Sequence, residues 1–266
     1  MASRDSGHQA AGMFAAVGPD YALVVAAAGE GQRLRDVSGD RPKPLLPLAG
    51  LPILHRALRS FAKQPPLRIA IVANPNWLDE SQAVASGALP DVEVVGVAQS
   101  EPVGSLDAFR RGLAALADPY LKQLPVALLH ADNLPPEGLI EVGSKALAKS
   151  QAVLCSRLTD RPGTSARLVR DERGRPVGLT ERGSGRALAE VEVCGGLFLF
   201  GAWIWERFSY DQPQRRGEAQ IDSLADELLR SGRAAVLTVE AAWFHINTPE
   251  DFQQAEEALP RVTASS

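Results

Sequence analysis

Four short apolar runs, at 21–28, 68–73, 93–97 and 125–130, punctuate the first half of the chain, and the period of the sequence changes between them. Ile53, Leu54, Leu58 and Phe61, and again Leu106, Phe109, Leu113 and Leu116, recur at helical spacing, so each intervening segment carries one apolar stripe. Strands apolar throughout need cover on both faces, and helices between them supply it while letting successive strands pair in parallel. The pattern therefore predicts an α/β fold, with a mixed, mostly parallel central sheet and helices on both faces. Gly104-Ser105 ahead of Leu106 reads as a helix start, and Pro65-Pro66 closes the preceding helix before the second strand.

Past about residue 150 the grain changes. Ala152–Leu158, Ala166–Val169, Val177–Thr180 and Val191–Phe200 read as strands, the middle pair joined by a turn from Asp171 to Pro176 with Gly174 in its left-handed position. This half is expected to form a β-rich lid on the first. A helix at 219–231, a strand at 234–239 and a helix from Pro249 to Leu259, capped by Thr248 and acidic in its first turn, complete the order. Residues 1–19 are small, polar and without period, as in a disordered extension. The rest is expected to form one domain over 20–262, with halves at about 20–150 and 151–262.

Composition narrows the partners. A chain of 266 residues that is 45% hydrophobic can fill a real core, and a net charge of -4 offers no general attraction to nucleic acid or to an anionic membrane. Any cation that matters must be local. Cys155 and Cys194 lie inside apolar runs without CxxC spacing, which suits buried thiols in a reducing compartment rather than a disulfide framework or metal site. No run approaches the roughly 18 apolar residues that span a bilayer, and the first 20 residues lack the order of a signal peptide, so a cytoplasmic protein is expected.

Three strings carry chemistry. The first run ends in Ala28-Gly29-Glu30-Gly31-Gln32-Arg33-Leu34, followed by Pro42-Lys43-Pro44-Leu45. Gly29 and Gly31 let backbone N–H groups approach anionic oxygens, and Arg33 and Lys43 can offset the charge of a triphosphate. The prolines on either side stiffen the backbone that aims Lys43. A glycine turn alone serves many α/β proteins, and the third glycine of a dinucleotide GxGxxG is here Leu34. In the second string, Gln99 precedes Gly104 and Ser105, which places an amide donor and acceptor beside the open backbone edge of a helix start, an arrangement able to read a base. The third, His130-Ala131-Asp132-Asn133, ends a strand where ligands sit in open α/β sheets, and a lone carboxylate there suits Mg²⁺.

Taken together these strings resemble the sugar-1-phosphate nucleotidylyltransferases, the thymidylyl-, uridylyl- and cytidylyltransferases that make activated sugars, with the likeness running from about residue 21 to about 259. The resemblance implies a Rossmann-like nucleotidyltransferase fold with a β-rich acceptor-binding subregion. It places Arg33 and Lys43 on the triphosphate, Ala28, Gly29 and Gly31 near the base and phosphates, Gln99 and Gly104 on a pyrimidine with Ser105 beside them, and Asp132 on Mg²⁺. The stretch from Trp243 to Asp251 is similar to the family's late strand–turn–helix segment, but His245 stands where many members carry aspartate. Asn247 is then the expected second metal oxygen, with His245 a further candidate; the plainer reading is that Asn247 and Thr248 only cap the last helix.

On the acceptor side Glu181 and Arg182 resemble a Glu-Lys pair that binds sugar and phosphate, and Gly196 completes the acceptor set. Ala166 replaces a common glycine, and Gly195 stands where asparagine or threonine is frequent, which implies a bulkier or less hydroxylated acceptor. The implied reaction joins a sugar-1-phosphate to a nucleoside triphosphate, UTP or dTTP favoured and CTP allowed, giving nucleotide-sugar and pyrophosphate. Two other readings stay open: a non-sugar acceptor such as phosphocholine, an inositol phosphate or a cofactor precursor, and a nucleotide-binding regulator without catalysis. Oligomeric state is left open.

Overall fold

In the computed structural model the described residues are 20–29, 31, 34, 39–101, 103–161, 165–180, 190–208 and 220–262. The predicted strands are present: β1 Ala22–Ala26, β2 Arg68–Ala73, β3 Glu93–Ala98, β4 Val126–His130, β5 Ala152–Thr159, β6 Leu168–Arg170, β7 Pro176–Leu179, β8 Val191–Phe200 and β9 Ala234–Val239. Seven of them form one sheet in the order β9-β5-β8-β4-β1-β2-β3. All its pairings are parallel except those of β8, which lies antiparallel between β4 and β5.

Helices α1 Ile53–Arg59, α2 Leu78–Ala88, α3 Ser105–Leu116, α4 Leu139–Leu147, α5 Trp203–Arg207, α6 Ile221–Arg230 and α7 Pro249–Ala258 flank the sheet. Alternate residues of β1 point to opposite faces, and both faces are covered. Val24 shares one core cluster with Phe109, Leu113 and Leu228 from α3 and α6, and Val25 another with Leu54, Leu58 and Ile140 from α1 and α4. Cys155 and Cys194 are buried and form no disulfide among the described residues. Among the described residues no helix is long and apolar enough to cross a membrane.

The expected lid takes a different form. β5, β8 and β9 extend the same sheet, while the β6–β7 hairpin forms a two-stranded sheet of its own, with Gly174 at φ +74° in its turn and the Leu179 N–H donating to Asp226 of α6. The reason lies in β8: from Val193 to Phe200 every residue is buried, and so long an apolar strand needs neighbours on both edges and both faces. The expected extension at 1–19 lies outside the described residues.

The strand order fixes where a ligand can enter. The chain runs from β1 outward to β2 and β3, then returns to place β4 on the other side of β1. α1, which follows β1, and α3, which precedes β4, lie on opposite faces of the sheet, and the strand order reverses at the β1/β4 boundary, where a crevice opens at the carboxyl ends of these two strands. Ala26 and His130 pair across it as the last residues of their strands.

Candidate active site

Beyond β1 the backbone continues through Ala27, whose N–H donates to Val72, into the Gly29–Gly31 loop. Leu34 N–H donates to the Gly31 carbonyl at 2.9 Å, and the Leu34 side chain is fully buried with Leu46, Leu48, Ile53 and Ile246. Leucine at the third glycine position thus pins the far end of the loop to a small core of its own. Pro42 and Pro44 flank Lys43, the first residue of a single 3-10 turn at Lys43–Leu45 that buries Pro44 and Leu45, and Lys43 lines the crevice. An ideal Cβ on Gly31 would stand 2.8 Å from the Lys43 Cβ, so the absence of a side chain there gives the lysine its room.

Lys43 Nζ donates to Asp132 Oδ2 at 2.5 Å and to Asn247 Oδ1 at 3.1 Å, with only 11% of its side chain exposed. A lysine only donates, so the oxygen of Asn247 must face it, and its amide nitrogen lies 2.9 Å from His245 Nε2. Two-residue strands at Asn133–Leu134 and Phe244–His245 pair antiparallel, and Ile246 N–H donates to the Asp132 carbonyl, which is how the late segment arrives beside Asp132. His245 Nε2 is 3.7 Å from Asp132 Oδ2, and Ser165 Oγ is 3.2 Å from His245 Nδ1. Asn133 holds the other oxygen of Asp132, donating at 2.8 Å, and itself accepts from Trp243 Nε1. Burial alone would raise the Asp132 carboxyl, but the Lys43 charge and then the His245 ring hold it well below the usual carboxylate range.

Two cavities meet at Asp132. The larger, about 410 Å³, is lined by Ala28, Gly29, Gly31, Lys43, Gln99, Gly104 and Ser105, and by Asp132 at its floor. The smaller, about 100 Å³, is lined by Asp132, Ser165, Gly196, Asp222, His245 and Asn247. Gln99 lies just past β3, 3% exposed, and donates from Nε2 to Asp107 Oδ2 at 2.7 Å and to the Gly104 carbonyl at 3.4 Å. Ser105 turns its hydroxyl to α6, donating to Gln220 and accepting from Ile221 N–H. His130 rests against the Phe198 ring at 5.8 Å between centroids.

The structure thus brings together Ala28, Gly29, Gly31, Lys43, Gln99, Gly104, Ser105 and Asp132 on one side, and Gly196, His245 and Asn247 on the other. Arg33, Glu181 and Arg182 lie outside the described residues. Sequence reading missed Asp107, Ser165, Gln220 and Asp222. The signal for Asp107 was available, because an acid in the first turn of a helix, eight residues after Gln99, faces the segment it follows; Ser165 and Asp222 join the site only through the tertiary fold.

The donor set also answers whether a divalent cation fits. The Lys43 ammonium sits between the Asp132 carboxylate and the Asn247 carbonyl, so two hard oxygens already converge on a positive charge. Among the described residues no group of three or more His, Cys, Asp or Glu is placed to hold an ion by itself. One carboxylate and one amide oxygen suit Mg²⁺, whose remaining positions are commonly filled by water and substrate phosphates.

A glycine loop and an aimed lysine, facing a carboxylate across the switch point of a mostly parallel sheet, define a nucleotide-binding α/β protein. Residues 22–261 match the model of the nucleotidyl transferase family, and the chain belongs to that family. It is 25% identical over 260 residues to the UTP--glucose-1-phosphate uridylyltransferase AglF of Haloferax volcanii, covering 91% of this chain and 98% of that protein. The low-salt glycan biosynthesis nucleotidyltransferase Agl11 of the same organism is 24% identical over 89% of this chain, and the glucose-1-phosphate thymidylyltransferase of Streptomyces antibioticus 25% over 90%. The chain spans 65% of Agl11 and 37% of the bifunctional protein GlmU of Mycolicibacterium paratuberculosis. A Bacillus anthracis protein crystallised with sucrose shares the fold at a TM-score of 0.77 and 16% identity, over 92% of this chain and 98% of that one.

Proposed function

We propose that this protein transfers a nucleotidyl group from a pyrimidine nucleoside triphosphate, UTP or dTTP in preference to CTP, to a sugar-1-phosphate, releasing pyrophosphate. The observation that carries the reading is Lys43, whose ammonium bonds Asp132 and Asn247 at the boundary between a nucleotide-sized cleft and a smaller pocket. The names of the similar proteins, a uridylyltransferase and a thymidylyltransferase acting with glucose-1-phosphate, support the same pairing of substrates. Residues 20–262 work as one domain in this reading, and two buried cysteines outside any disulfide among the described residues fit a cytoplasmic setting.

In the reaction, an oxygen of the acceptor phosphate attacks the α-phosphorus of the triphosphate, and the bond from that phosphorus to the bridging oxygen of the leaving pyrophosphate breaks. The attacking oxygen is already ionised near neutral pH, so no general base is required. The chain's contribution is positioning and charge compensation. The Gly29–Gly31 backbone cradles phosphate oxygens, Lys43 and Arg33 offset charge as it builds on the triphosphate, and Gln99 and Gly104 hold the base. Asp132 and Asn247 would hold Mg²⁺, which when bound neutralises phosphate charge next to the reacting centre. Gly196, Ser165, Asp222 and His245 form the acceptor pocket, with Glu181 and Arg182 as further acceptor contacts.

Ala166 and Gly195 depart from the family's usual acceptor residues and favour a second reading, transfer to a non-sugar phosphate. Both readings are tested by following pyrophosphate release with UTP, dTTP and CTP against a panel of sugar-1-phosphates, phosphocholine and inositol phosphate in the presence of Mg²⁺. Release that requires a sugar-1-phosphate is expected. Release only with phosphocholine or inositol phosphate would move the protein to the second reading, and triphosphate binding with no release across the panel would make it a regulator.

A further inference from the structure

We infer that Asp107 is a positioning residue that fixes which base the cleft accepts, by locking the Gln99 amide so that only its oxygen is offered to the nucleotide. The inference rests on the nucleotide occupying the larger cleft, as proposed above. Asp107 lies in the first turn of α3 and Gln99 just past the end of β3. The carboxylate is 11% exposed and bonded by Arg111 Nε at 2.6 Å, one turn further along the helix. A carboxylate paired with a guanidinium can only accept, so the group that Gln99 turns toward it must be the NH₂.

That constraint consumes the amide's donors. One Gln99 N–H goes to Asp107 Oδ2 at 2.7 Å and the other to the Gly104 carbonyl at 3.4 Å, while the backbone N–H of Gln99 is tied to the Ala73 carbonyl at 2.9 Å. The side chain lines the cleft, and its Oε1 is the polar atom left for a ligand. An unconstrained glutamine reads either a donor or an acceptor by flipping. Held by Asp107, Gln99 presents an acceptor only.

The complementary base edge is a ring N–H. Uracil and thymine carry one at N3; cytosine has a lone pair at N3, which would face the Gln99 oxygen without a proton between them. Guanine shares the N–H chemistry at N1, and the test therefore includes GTP. A buried polar group left unpaired forfeits its hydrogen bond without regaining water, so the locked amide should discriminate by about tenfold or more. Arg111 contributes at one remove, holding the carboxylate that holds the amide.

The test measures binding rather than turnover. Dissociation constants for UTP, N3-methyl-UTP, CTP and GTP are determined by calorimetry on the full chain, for the wild type, Asp107→Asn and Arg111→Ala. The wild type should bind UTP about tenfold or more tighter than N3-methyl-UTP and CTP. In Asp107→Asn the amide is free to turn over, and the UTP preference over CTP should shrink to within about threefold. Arg111→Ala, at a half-exposed position, should narrow the ratio in the same direction and serves if Asp107→Asn does not fold.

A preference unchanged in Asp107→Asn, or in Arg111→Ala where that is the variant that folds, overturns the inference, as does a wild type that binds UTP and CTP alike or prefers GTP. A purely structural Asp107 would weaken all four nucleotides together. The two readings fail separately. Selective UTP binding without pyrophosphate release would sink the proposed reaction and leave this inference standing, whereas release from UTP and CTP at equal affinity would do the reverse.

Discussion

The two walls of the site are built by different means. The larger cleft is lined at strand ends, at Gly29 and Gly31 and at the start of α3, with Lys43 and Gln99 among its side chains. In the smaller pocket, the proposed acceptor side, Ser165, Gly196, Asp222 and the His245–Asn247 pair come from four separate stretches of chain. Each wall nevertheless uses a glycine to seat a working residue. A Cβ at Gly31, φ +59°, would press on Lys43, and one at Gly196, φ +81°, would stand 2.5 Å from Asn133 Nδ2, the group that donates to Asp132. The contrast bears on where change is tolerated: in the proposed reading the triphosphate side depends on backbone that takes a left-handed turn at Gly31, whereas the acceptor side depends on side chains that can be exchanged one at a time.

Lys43 belongs to both walls, so removing it should produce the largest effect. Lys43→Met keeps the apolar stem and deletes the charge, leaving Asp132 and Asn247 without the donor they share. Loss of one such charge-compensating group typically costs about 10²–10³ in turnover, and pyrophosphate release should fall by that much with every acceptor. Circular dichroism should show the fold intact. Loss with one acceptor and retention with another would place the lysine on a single wall.

The glycine pair separates the walls. Forcing alanine into a left-handed backbone costs about 1–3 kcal/mol before any steric push is counted. Gly31→Ala should raise KM for the triphosphate by about tenfold and KM for the acceptor by less, whereas Gly196→Ala should raise KM for the acceptor more than KM for the triphosphate, since each acts in part through Lys43 or Asp132, which both sides share. Initial-rate kinetics with each substrate varied in turn would read this directly. If both variants shifted both constants equally, the site would have one wall rather than two.

The same contrast decides what the sequence discloses. Strands and helices were legible because burial on both sheet faces writes an apolar run into each strand, and the Gly174 turn was legible because the left-handed backbone there favours glycine. Lys43, Asp132 and Gln99 were legible because each lies within a few residues of the strand end or turn that positions it. The placement of β8 was not, since an apolar strand looks the same whether it covers a sheet or enters it; burial of Val193–Phe200 put it inside. Ser165 and Asp222 carry no local pattern, and Asp107 reads locally as an ordinary first-turn acid paired with Arg111.

The smallest expected effect tests whether Asn247 works on the acceptor wall or only ends a loop. Thr248 caps α7, accepting from Asp251 N–H at 3.2 Å, while Asp251 Oδ2 accepts the N–H groups of Thr248 and Asn247, both at 3.0 Å. The capping chemistry therefore belongs to Thr248 and Asp251, and leaves the Asn247 side chain for Lys43 and His245. Thr248→Ala should cost about 1 kcal/mol, a fall of roughly 2–4 °C in Tm for a domain of this size. Triphosphate affinity should not move, because no capping residue touches the larger cleft. Acceptor KM should change by less than about twofold, since Asp251 still holds the Asn247 backbone and only one of the cap's hydrogen bonds is gone. A Thr248→Ala variant as inactive as Lys43→Met would show that the cap, rather than the asparagine side chain, sets the geometry at Asp132, and would fold the acceptor wall's most distant segment into the catalytic centre itself.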